Sequence, residues 1–308
     1  MEPCRADRPT AGRAARIEPW LPVAAFVLFV VGFVAGRSYV QHLSVSSAFD
    51  QVALYDDWVV LLAALTGLAL ASALYFTVWL TGLLQLAGPV RPLVVAGWTV
   101  LTLAVASTPL AVLFAATDSA AASLDTSLAQ GTRPITIVAG LCELPGLIAL
   151  VALRHLATDE RLWQEAASCR LRLLLRLRAE LRRILVLLGA FLTLLVVTVG
   201  LRRQAFVALD PKTAIPLESV LLYGLVYAVL LGLFYAVAAA AVDAKGEQLL
   251  DDFAPLPDPI AADAVEQLGR RTALAALTGR GGTWQSFQTT VIITAPLLTA
   301  LVGSALAR

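Results

Sequence analysis

One ionisable side chain stands in the middle of an otherwise apolar run. It is Glu143, within Cys142-Glu143-Leu144-Pro145-Gly146. A carboxylate at bilayer depth costs at least about 2.5 kcal/mol on insertion scales. Such a group is expected to be neutral, paired, or open to a water-filled cavity. No Arg, Lys or His occurs at comparable depth in another apolar run, so no ion-pair partner is apparent. Pro145 has no N–H to offer the carbonyl of Leu141, which predicts a bend beside the carboxyl. Glu143 and Pro145 are therefore candidates for an ion- or proton-coupling site. A neutral, hydrogen-bonded Glu at an ordinary structural bend would have the same sequence.

Other chemistries lack their residues. The two histidines, His42 and His155, have no GxSxG serine nearby, and no HExxH helix occurs. Tyr55-Asp56 is half of an intramembrane aspartyl pair without a GxGD partner, and it lies at the edge of its run. The three cysteines, Cys4, Cys142 and Cys169, are far apart with no metal-ligand spacing. They are expected to be free thiols, and neither a metal nor a cofactor is implied. Asp251-Asp252 alone is a poor cation site. The Gly279–Gly282 region lacks P-loop spacing and its Lys, and reads as a hinge. These gaps predict a protein that is not an enzyme.

A second constellation concerns binding. Trp163, Ala167, Arg170, Leu174, Leu177, Leu181 and Ile184 recur at steps of four and three. Arg172, Arg176, Glu180 and Arg183 lie on another face, with Arg176 and Glu180 four apart. An apolar stripe needs something to cover it. Trp163, Leu174, Leu177 and Leu181 are thus candidates for a partner or oligomer interface, unless the segment is only a charged stalk.

The elements that must position these residues follow from composition. The chain has 308 residues, 59% hydrophobic and 15% charged, against about 25% charged in soluble domains. The net charge of +1 supplies no basic face for nucleic acid. Asn is absent and Lys occurs twice, a bias expected of a high-GC bacterial genome. A spanning helix needs about 20 apolar residues. Seven stretches approach this: residues 20–36, 58–86, 93–116, 134–153, 184–201, 220–241 and 289–307. The first could be a signal peptide, but Gly32-xxx-Gly36 favours a retained packing helix. Ala63, Gly67 and Ala71 give the second a similar stripe. Pro109 and Pro296 should break the third and seventh, and the seventh could re-enter as a hairpin. Trp20, Trp58 and Trp284 are expected as interfacial anchors, and Tyr223, Tyr227 and Tyr235 as packing or pathway-lining rings.

With the N-terminus in the cytoplasm, 17 of the 23 Arg and Lys residues fall on the inner side. The expected fold is an all-α polytopic membrane bundle of about seven transmembrane helices with a cytoplasmic helical extension. An Arg-rich tail (1–19) precedes helices 1–4 (20–153) and a Leu/Arg cytoplasmic helix (154–183). Helices 5–6 (184–242), a cytoplasmic segment with short helices (243–288) and a seventh helix (289–308) follow. In that segment Asp258-Pro259 should start a helix that Gly269 interrupts. The functional expectation is a non-enzymatic interaction or signalling protein of a bacterial inner membrane. Its partners would be the lipid bilayer and a cytoplasmic protein or second copy. The alternative is a transporter or channel coupled through Glu143.

Overall fold

The computed structural model describes residues 19–42, 53–87, 126–209, 217–255, 264–277 and 283–306. These form seven α-helices and one 3-10 turn, with no strand among the described residues. In chain order they are α1 (Leu21–His42), α2 (Ala53–Ala87), α3 (Thr126–Thr158), α4 (Ala167–Leu209), α5 (Leu217–Phe253), α6 (Ala264–Leu277) and α7 (Thr283–Leu306). Five of them, α1 to α5, are long and apolar enough to cross a membrane. The chain is a multi-pass helical membrane bundle. The expected third span, 93–116, lies outside the described residues.

α2, α3, α5 and α4 pack around one another; α1 lies against α2, and α7 lies against α4 and α5. Glycines set the closest approaches. A Cβ on Gly67 would stand 2.5 Å from the carbonyl oxygen of Phe29, and one on Gly32 2.8 Å from the Cα of Gly67. The Gly32-xxx-Gly36 face and the Ala63/Gly67 stripe therefore meet, which makes α1 an integral element of the bundle. Gly224 admits α7 in the same way, its Cβ position 2.9 Å from the Pro296 carbonyl oxygen. α7 is one continuous helix through Pro296, not a hairpin, because α4 and α5 hold it along its length.

The buried side chains form two apolar clusters, one above the other. One gathers Val59, Leu65 and Ala69 of α2, Ala139 of α3, Phe191 and Leu195 of α4, and Tyr223 and Tyr227 of α5. The other begins at Phe76, Ala149, Leu188 and Leu231 on the same four helices and continues to Trp163, Leu174 and Leu249. The division falls at one level on all four helices. Trp58 is only 2% exposed and belongs to the first cluster, so it is a core residue and not the interfacial anchor its position suggested. Trp20, 68% exposed, does have an anchor's exposure.

At the second cluster's end the helices outrun any bilayer. α4 has 43 residues and α5 has 37, about 65 Å and 55 Å at 1.5 Å per residue, against a hydrocarbon core of about 30 Å. The excess is a charged helical head. Asp159 caps the short 3-10 turn Glu160–Trp163 by accepting from the Arg161 N–H, and α4 starts after it at Ala167. The 154–183 segment is thus a helix end, a turn and a new helix, with Trp163 in the turn. α5 runs on to Phe253, well past the span boundary at 242. Gly269 does not interrupt α6: it sits exposed within it, with open space where a side chain would be. A lone helical glycine costs only about 1 kcal/mol. The proposed helix start at Asp258-Pro259 and the glycine-rich 279–282 lie outside the described residues.

Candidate functional site

Glu143 sits at the level where the two clusters divide, 5% exposed. α3 runs through Pro134 and Pro145 as one helix, so the proline does not end it. Glu143 and Gly146 share a face of α3, and this face meets Ser72 and Phe76 of α2. Ser72 Oγ lies 2.5 Å from Glu143 Oε1 and 3.0 Å from the carbonyl oxygen of Ala69. A Cβ on Gly146 would stand 2.9 Å from the Phe76 ring, so the glycine lets that ring close over the α3 backbone on the charged-end side. Glu143 Oε2 is buried and has no hydrogen-bond partner among the described residues. A bare acceptor oxygen of a neutral acid costs roughly 1–3 kcal/mol, and an unpaired charge costs far more.

The threonine hydroxyls of α2 turn back onto their own helix: Thr66 donates to the Leu62 carbonyl, Thr77 to Ala73 and Thr81 to Val78. That is how polar groups are accommodated in an apolar span. Ser72 does this and also meets another helix. Tyr223 and Tyr227 are buried with ring centroids 6.0 Å apart, a packed aromatic pair. Among the described residues no group of three or more His, Cys, Asp or Glu is placed to hold a metal.

The candidate interface residues are not surface residues. Leu174 and Leu177 are fully buried, and Leu181 and Trp163 nearly so, all within the cluster that includes Leu156, Val242 and Leu249. The apolar stripe is covered by α3 and α5 of the same chain, so it offers nothing to a partner in this conformation. This corrects the interface expectation. Trp163 Nε1 donates to the Leu156 carbonyl at 3.2 Å, which fixes the turn on the end of α3.

Ion pairs bind the head across its helices. Arg170 meets Asp252 at 2.8 Å and Arg178 meets Asp243 at 2.9 Å, both from α4 to α5. Lys245 reaches Glu160 at 2.7 Å and Gln248 at 2.8 Å. Arg271 of α6 holds Asp251 and the Ala254 carbonyl, each at 2.6 Å. Glu180 meets Arg183 at 3.2 Å, one turn along α4. Asp251 and Asp252, a poor cation site by sequence, are each bound to an arginine. Cys142 is a free thiol. Cys169 is disulfide-bonded, so the expectation of three free thiols fails there.

Sequence reasoning missed Ser72. A signal was available: Ser72 is the midpoint of the apolar run 58–86, and Glu143 lies at the middle of 134–153. Two mid-depth polar residues on neighbouring spans are natural hydrogen-bond partners. No protein family, curated protein or solved structure matches the chain.

Proposed function

We propose that the chain is a non-enzymatic interaction or signalling protein of a bacterial plasma membrane, with its N-terminus and its charged head in the cytoplasm. The observation that carries this reading is the head itself. α4 and α5 continue from the membrane bundle into it without a break, and four interhelical ion pairs hold it as one unit. Its arginines and lysine match the sign expected of a cytoplasmic face. The surface it would present to a cytoplasmic protein or second copy is α6. Arg271 anchors that helix, while Val265 is 86% exposed and Leu268 stands in solvent.

A photo-reactive residue in place of Leu268, used in native membranes, tests the idea. A discrete protein adduct is expected there, and none from Val229, an exposed apolar residue midway along the span of α5. Equal adducts from both positions, or none from Leu268, would overturn it.

A second reading has one observation in its favour, the buried Oε2 of Glu143 without a partner. It is a transporter or channel coupled through that carboxyl. Glu143→Gln would then abolish a pH-dependent flux in liposomes, and unchanged flux would exclude the role.

A further inference from the structure

We infer that the Glu143–Ser72 pair is a proton-binding site, and that the proton it holds closes α2 on α3. The contacts of Ser72 require more hydrogens than its hydroxyl carries. Ser72 Oγ has two oxygen neighbours within hydrogen-bond distance, the Ala69 carbonyl at 3.0 Å and Glu143 Oε1 at 2.5 Å. A serine hydroxyl has one hydrogen. If that hydrogen goes to the Ala69 carbonyl, the helix-internal bond that α2's threonines also make, the contact with Oε1 needs a hydrogen of its own. Only a protonated carboxyl supplies it. Glu143 then donates to Ser72 Oγ, Ser72 donates to the Ala69 carbonyl, and Oε2 is the bare oxygen of a neutral acid. With Glu143 ionised, Ser72 can satisfy one acceptor at a time, and a buried charge is left with one unfilled oxygen.

Among the described residues the surroundings offer a charge no other relief. Between the span ends α2, α4 and α5 present no Asp, Glu, Lys, Arg or His, and neither does α7. Among the described residues the titratable groups near this level are Cys142 on α3 itself, Tyr75 on α2, and Tyr223, Tyr227 and Tyr235 on α5. Tyr75 is engaged with the Trp79 ring, and Tyr223 with Tyr227. The other charged side chains described on the spans lie at their ends: Arg37, Asp56, Asp57, Arg202, Arg203 and Glu218 at one, and the head's charges at the other. Ala69 and Ala139 on one side and Phe76 against Gly146 on the other keep the pair in apolar surroundings. Losing the proton therefore favours parting of α2 from α3 at the level where the two clusters meet. This holds with or without flux through the bundle, and it is read structurally, so its failure and that of the transport reading are separable.

The full-length protein in liposomes at pH 7 provides the test. The infrared spectrum of wild type minus Glu143→Gln is expected to contain the carbonyl band of a protonated carboxylic acid. In Ser72→Ala that band should move to higher frequency, because one hydrogen bond is lost. Amide hydrogen exchange along residues 139–147 should quicken beyond its intrinsic increase as pH rises in wild type. It should follow the intrinsic increase alone in Glu143→Gln, whose amide can still donate to Ser72. Loss of carboxylate bands instead of an acid band would overturn the proposal. So would exchange profiles that coincide in the two proteins. An acid band that sodium removes at constant pH would assign the site to a metal cation and likewise overturn it.

Discussion

Replacing glycines one at a time by alanine should sort them by what a single methyl group meets. At Gly67 the new Cβ would lie 2.5 Å from the Phe29 carbonyl oxygen, about 0.9 Å inside ordinary contact, and backbone cannot yield locally. α1 must move as a body. Overpacking of this kind costs about 1–3 kcal/mol, while alanine returns up to about 1 kcal/mol of helix propensity. The net expectation for Gly67→Ala is a loss of about 1–2 kcal/mol, confined to the α1–α2 contact. Gly32→Ala should behave similarly, since its Cβ would meet the Gly67 Cα at 2.8 Å and the Thr66 carbonyl oxygen at 2.9 Å. Gly36→Ala should be milder, because its nearest neighbour is the Thr66 side-chain hydroxyl. Gly246→Ala presses only on the far end of Arg178, with Leu174 Cδ2 at ordinary contact distance, and should be nearly neutral. Gly140, Gly200 and Gly269 have open space, so alanine there should be neutral or stabilising by up to about 1 kcal/mol. Thermal unfolding of the purified protein in one detergent ranks the series. Disulfide trapping between cysteines placed on α1 and α2 shows whether that contact is the one lost. If Gly67→Ala is as stable as Gly140→Ala, or the trapped fraction is unchanged, α1 does not dock on α2 through Gly67.

The head gives two further expectations. Leu177→Ala should destabilise the protein by roughly 2–5 kcal/mol, as expected for emptying a fully buried site, whereas Leu175→Ala, on the exposed face, should change it by less than about 0.5 kcal/mol. Equal effects in a denaturation series would place the stripe outside the core and restore it as a docking surface. Glu160→Gln should cost about 1 kcal/mol, discounted because Glu160 is largely exposed, since it strips the buried Lys245 of its carboxylate. Lys245→Met should cost less by the same measurement, because it removes the buried charge along with the pair. The reverse order would mean that the ammonium is solvated and the pair idle.

What the sequence disclosed depended on whether a feature is local. Span positions follow from runs of about 20 apolar residues, a property of the chain alone; six of the seven coincide with helices, five of them long and apolar enough to cross a membrane. The Gly32/Gly36 and Ala63/Gly67 stripes also disclosed their role, since small residues at that spacing have few uses in a membrane other than close packing. Helix ends were less readable. Asp243, Lys245 and Glu247 open the segment where the sequence predicts separate short helices, yet α5 continues through them, and Arg178, Glu160 and Arg170 on neighbouring elements take up the charges of Asp243, Lys245 and Asp252. Trp58 lies where an anchoring tryptophan would lie, and only the packing of α2 against its neighbours turns it inward. The Leu174/Leu177/Leu181 stripe was visible as a surface that must be covered. Periodicity specifies the need and leaves open which helix meets it. Here α3, which precedes it in the chain, and α5, which follows it, do so together.

Glu143 shows the same division at the scale of one side chain. Its cost in the bilayer could be read from its neighbours in the chain, but the group that meets that cost could not, because Ser72 is 71 residues away. A mid-span serine has a default partner in its own helix, so nothing local marks it as reaching across. What marks it is depth. Span midpoints at Ser72 and beside Glu143 place both polar groups at one level, and close packing of α2 on α3 brings them within 2.5 Å. Depth matching extends to the apolar residues: Ala69 and Phe76 flank Ser72 on α2 as Ala139 and Gly146 flank Glu143 on α3. The large ring opposes the residue without a side chain, and the two alanines belong to one cluster. A single slip of one helix turn would separate acid from hydroxyl and drive Phe76 out of the space Gly146 leaves for it. The polar pair and the ring-on-glycine contact therefore select the same register independently, and a change at either should be felt at the other.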